Sequence, residues 1–168
     1  MVAQAKRREK KYYTTKEVAD ALSIPQWRVK NFTEGDAYRL PPALRVGSGR
    51  GSRRLYRWTD IYRMLIANEL VDAGFTPEVV GRAILEIPES KLRPPDPFPK
   101  NPFVLVHANH KWEVMPLKSV NLTTYNLTTI VQFQQLIEDL HHDLQEKETQ
   151  EYLAEHYPDW NWIPIFRR

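Results

Sequence analysis

Six of the chain's 13 prolines fall within residues 88–102, PESKLRPPDPFPKNP, and no other stretch restricts the fold so severely. Each proline lacks an N–H and has φ fixed, so a run this dense can neither continue a helix nor occupy the middle of a sheet. The segment reads as an extended, semi-rigid linker between residues 12–87 and residues 103–168. At 168 residues, 42% hydrophobic and 27% charged, the chain has the composition of a globular protein with room for one domain and an accessory element. It has no cysteine, which removes disulfide scaffolds, thiolate metal sensing and cysteine catalysis. No apolar run approaches the ~20 residues needed to span a bilayer. The charged N-terminus MVAQAKRREKK has no apolar segment behind it, so the expectation is a cytoplasmic protein without a membrane partner.

A net charge of +3 conceals an asymmetry. Residues 1–57 hold 14 Lys/Arg against 5 Asp/Glu (+9), while residues 58–168 hold 10 against 16 (−6). Residues 1–11 read as a basic flexible arm, with Lys6, Arg7, Arg8, Lys10 and Lys11 able to neutralise phosphates.

Within the basic half, residues 14–32, TTKEVADALSIPQWRVKNF, carry the signals of two helices and a tight turn. Thr14 or Thr15 can cap the first helix, with Glu17 at the capping-box position, and Val18, Ala19 and Leu22 share one face. Ser23-Ile24-Pro25 breaks the helix, and Pro25 suits the first turn of a second one, with Trp27 and Phe32 as apolar anchors. Gln26, Arg28, Lys30 and Asn31 are left pointing outward, and these residue types reach base edges and phosphates. A structural helical hairpin with a solvated polar face gives the same pattern; the coincident basic charge favours nucleic acid. Thr15 and Trp27 join the four polar residues as candidate DNA contacts.

Residues 33–42, with Gly35 and Pro41-Pro42, form a turn. In ALRVGSGRGSRRLYRW, two short strand-like runs flank a glycine-rich tip whose spacing fits neither the Walker pattern nor a dinucleotide fingerprint. The ribbon reads as a wing along a DNA backbone, with Arg45, Arg50, Arg53, Arg54 and Tyr56 as contacts and Arg57 close by. Thr59-Asp60 caps a further helix with a stripe of Ile61, Met64, Leu65 and Val71, ended by Gly74. Thr76-Pro77-Glu78 starts another, running to about Ile87.

The order helix, turn, helix, Arg54-Leu55-Tyr56 wing, capped helix and Gly74-Phe75-Thr76-Pro77-Glu78-Val79-Val80 resembles the DNA-binding domain of the MerR family of bacterial transcription regulators, over about residues 12–87. Val29-Lys30-Asn31-Phe32-Thr33 stands where that family has Leu-Arg-Tyr-Tyr-Glu, and Ser23 stands where it has a turn glycine. The resemblance implies a winged helix-turn-helix, a homodimer on inverted half-sites and a dimerisation helix further along.

Beyond the linker, residues 103–107 and 111–115 are β-prone runs flanking Ala108-Asn109-His110, which suggests a hairpin. His107 and His110 have no carboxylate or cysteine at ligand spacing and read as turn histidines, not metal ligands. Residues 121–129 are polar and threonine-rich. Ile130, Phe133, Ile137, Leu140 and Leu144 then recur at intervals of 3 and 4, the a/d seam of a dimerisation helix or coiled coil continuing to about Tyr157. Val131 and Leu136 broaden that stripe, as in a helix packed within its own chain. The aromatic tail, Trp160, Trp162, Ile163 and Phe166, either completes the interface or lines an effector pocket.

The expected fold is mainly α with small β elements: a winged helix-turn-helix followed by a β-hairpin and a long C-terminal dimerisation helix. The expected function is sequence-specific binding of double-stranded DNA by a homodimeric transcription regulator, with a small molecule or a protein as conceivable effector. Two alternatives stay open: an architectural DNA-binding protein of excisionase or packaging type, and a protein-interaction module with secondary DNA binding. No Ser/His/Asp set, paired carboxylates in an apolar setting or metal cluster is present, so neither an enzyme nor a cofactor is expected.

Overall fold

Capping chemistry fixes where the first helix begins. In the computed structural model, which describes residues 12–34, 38, 40, 44–46, 53–92, 99–108, 110–120 and 127–156, the Thr14 N–H donates to Glu17 Oε2 at 2.8 Å and the Glu17 N–H to Thr14 Oγ1 at 3.4 Å. This reciprocal box starts α1 (Thr15–Leu22) directly after a two-residue strand, β1 (Tyr13–Thr14). Ser23 ends α1 in the left-handed region, φ 53°, the geometry for which a glycine would ordinarily be chosen. The chain re-enters a helix at once as α2 (Gln26–Glu34); Pro25 stands before it, its carbonyl accepting the Arg28 N–H at 2.9 Å, and not inside its first turn.

β2 (Leu44–Val46) and β3 (Arg53–Tyr56) pair antiparallel, and β1 adds to the other edge of β3, giving the order β1-β3-β2. α3 (Trp58–Asp72) follows immediately. Asp60 lies in its first turn, not at the cap; its Oδ2 accepts the Arg57 N–H at 2.9 Å. Burial pushes the Asp60 pKa up, against the pull of that hydrogen bond and of Arg63 and Arg57. Gly74, at φ +89°, closes the helix, and Thr76 leads into α4 (Pro77–Leu85) with Pro77 at its start.

The proline-rich segment is less uniform than expected. Residues 89–91 form a 3₁₀ turn, and Leu92 is fully buried, which ties the start of the segment to the body of the protein. After it, β4 (Phe103–Ala108) and β5 (Lys111–Pro116) form the expected hairpin, with His110 at φ 63° in the turn. A third strand, β6 (Leu127–Val131), pairs with the other edge of β4 and opens α5 (Phe133–His156).

The described residues thus hold five α-helices and two three-stranded antiparallel sheets, a mixed α/β arrangement in place of a mainly α one. Ile130 is corrected with it: it stands on β6 opposite Val106, not on a helix. The rest of the expected seam faces inward. Phe133, Ile137 and Leu140 are buried in the chain's own core with Val18, Phe32, Ile66, Leu70 and Leu105, and Leu144 packs against it half-buried. That core takes residues from both sides of the proline-rich segment. The expectations for the basic arm, the glycine-rich tip and the aromatic tail lie outside the described residues.

Candidate nucleic-acid interface

α2 is divided by its own periodicity. Val29, Phe32 and Thr33 are buried; Gln26, Trp27, Lys30 and Asn31 are exposed along one side, with Glu34 at its end. Phe32 sets the depth of the helix, meeting Tyr38 edge-on at 5.0 Å. Thr33 closes the inner side: its Oγ1 donates to the Lys30 carbonyl at 3.2 Å and lies 3.5 Å from the Tyr56 hydroxyl. The two polar amides and the ammonium are therefore presented by a helix whose rotation is fixed from behind.

Several expected contacts take other roles. Trp27 is no anchor: at 61% exposure it stands in solvent, because Val29 and Phe32 occupy the inner face and the 100° step from Gln26 carries the indole outward. Tyr56 is fully buried, so it cannot touch a duplex; the two-residue period that leaves Arg53 exposed turns Tyr56 into the core, where its hydroxyl meets Thr33. Thr15 is half-buried in the first turn of α1. Arg54, half-buried on β3, pairs with Glu34 at the end of α2 and so ties the ribbon to that helix. Arg53 is exposed beside it. Arg45 stands opposite Arg54 in the β2–β3 register; its side chain, and all of Arg50, lie outside the described residues.

Arg28 turns sideways. Its Nη2 lies 2.6 Å from Asp72 Oδ1, and Asp72 Oδ2 also accepts from Asn68 Nδ2 at 3.0 Å. The pair fastens α2 to the last turn of α3 across 44 residues of sequence. With side chains 24% and 54% exposed, it is a surface ion pair, for which stabilisation of about 0.2–1 kcal/mol is usual. A double-mutant cycle of Arg28→Ala and Asp72→Ala, read by chemical denaturation, should give a coupling in that range; zero coupling would mean that the pair holds nothing in place.

Two further aromatic groups stand among the described residues. Tyr13, Trp58 and Tyr62 form a column, with ring centroids 4.8 and 5.6 Å apart, and His141 of α5 meets Trp58 edge-on. Phe75, His107 and Trp112 form a second cluster where α4 meets the C-terminal sheet; His107 stacks on Trp112 at 4.6 Å. Desolvation there, helped by His110 and Arg82, lowers the His107 pKa, which favours the neutral ring. Among the described residues no three His, Cys, Asp or Glu side chains are placed to share a metal ion, and no helix is long and apolar enough to cross a membrane. No family model and no curated protein matches the chain.

Proposed function

We propose that the chain binds double-stranded DNA in a sequence-specific manner, as a winged helix-turn-helix protein with the role of a transcription regulator. The observation that carries this reading is the outward face of α2. Gln26, Lys30 and Asn31 sit together there, exposed, on a helix locked from behind by Val29, Phe32 and Thr33. Glutamine and asparagine match the donor and acceptor of adenine, and lysine matches the two acceptors of guanine, in a groove wide enough to admit a helix. Arg53 adds an exposed positive charge on the adjoining ribbon, where a phosphate backbone would run. The order of helix, turn, helix and ribbon is the one the MerR-like sequence pattern implies.

Pairing of two copies on inverted half-sites belongs to the same reading, although Phe133, Ile137 and Leu140 are already buried by their own chain. A dimer of this protein would use a different surface. Selection of bound sequences from a random duplex pool, at about 150 mM salt to damp general phosphate attraction, tests function and pairing together. An enriched inverted repeat is the expected result. An enriched single site would keep the specific DNA-binding reading and remove the dimer, whereas salt-sensitive binding without enrichment would overturn both.

A further inference from the structure

Trp27 does not belong on a face made only for hydrogen bonding. It is 61% exposed, and the other exposed large hydrophobics among the described residues are Val46, Leu85 and Leu117, none of them on α2. An exposed indole among polar side chains is available for contact, and aromatic rings contribute most when another surface covers them. Its neighbours say what kind. Gln26 precedes it, and Lys30 and Asn31 lie three and four residues on, on the same side of the helix. Among the described residues of α2, the exposed neighbours of the indole are thus two amides and an ammonium, with the Glu34 carboxylate at the end of the same side.

The major groove carries a matching layout. Adenine offers a donor and an acceptor to an amide, guanine offers two acceptors to a lysine, and the one apolar group is the C5-methyl of thymine. We propose that Trp27 is a specificity residue that reads thymine, its ring packing on that methyl, with Asn31 on an adenine close by. The Cβ atoms of Trp27 and Asn31, four apart on the helix, are roughly 5–6 Å apart, and bases along a strand rise by about 3.4 Å. The thymine and the adenine therefore fall within one or two base pairs of each other, and the target contains an A·T-bearing step at the point where α2 enters the groove.

This role rests on the DNA-binding reading above, and one experiment separates the two. The full chain is titrated with the duplex recovered by selection, with each thymine replaced in turn by deoxyuridine, which lacks only the methyl. One position should weaken binding about three- to fivefold, the size expected for a single methyl removed from water. Trp27→Ala should bind the unmodified duplex more weakly and no longer distinguish thymine from uracil there, with an unchanged melting temperature because the ring lies outside the core. Tolerance of deoxyuridine at every position, by a protein that still selects a sequence, would overturn the thymine role and leave DNA binding intact. The same result follows if Trp27→Ala still distinguishes the two bases at that position. Failure to select any sequence would overturn both readings.

Discussion

Replacing Phe133 with alanine should destabilise the protein by about 3–5 kcal/mol, the range for a fully buried phenylalanine whose cavity cannot collapse. Phe133 is 0% exposed and begins α5, with Ile137 and Leu140 beneath it in the same core as Val18, Ile66 and Leu105. Its surroundings are held from two sides. The Phe103 N–H of β4 donates to the buried Gln134 Oε1 at 2.6 Å, so the start of α5 is bonded to the C-terminal sheet. β6 leads into the helix from the same sheet, and the Gln132 carbonyl accepts the N–H groups of Gln135 and Leu136. For a chain of this size the melting temperature should fall on the order of 10 °C. The fall should not depend on protein concentration, because the ring is covered by its own chain. A near-silent Phe133→Ala, with a native melting temperature that rises with protein concentration, would return the stripe to an interface between copies.

Where an element is set by neighbours in sequence, the sequence shows it. The Thr14/Glu17 box, Pro77 at the head of α4, Gly74 with positive φ and the hairpin around His110 are local devices, and each stands where the residues indicate. What the residues conceal is of two kinds. Very short or polar strands leave no period to read: β1 has two residues, and β6, LTTIV, carries two threonines where alternation would be sought. The intervals of 3 and 4 run back through Ile130, so a helical pattern in the sequence reaches into a strand. The second kind is long-range pairing. Asp72 sits 44 residues from Arg28 and Glu34 lies on a different element from Arg54, so an arginine that looks free for DNA in sequence is already engaged in the fold.

Tyr56 shows how the two effects combine at the candidate site. Arg53, Arg54 and Tyr56, close together on one ribbon, look alike as contacts, but a strand turns alternate residues to opposite faces. Arg53 is exposed and Tyr56 fully buried, so the tyrosine supports α2 through Thr33 in place of touching a partner. The outward residues of α2 are the converse. Their exposure follows from the helical period once Val29 and Phe32 are fixed as the inner face, and it needs no distant partner.

Replacing Gln26, Lys30 and Asn31 together with alanine should lower affinity for the selected duplex by at least about a hundredfold, since each well-made base contact carries about 1–3 kcal/mol of discrimination. The fold should be unaffected. All three side chains are exposed, alanine is the best helix former, and Val29, Phe32 and Thr33 still hold the inner face. Weak binding that falls steeply with salt should survive, carried by Arg53 and the remaining basic residues, because phosphate attraction does not depend on base contacts. Equilibrium titration at two salt concentrations, beside a melting curve, measures both quantities on one preparation. Unchanged affinity and selectivity in the triple variant would remove α2 from the groove. If Arg28→Ala then abolished selectivity, Arg28 would be leaving Asp72 to read the duplex, and the α2–α3 ion pair would be a state that DNA displaces.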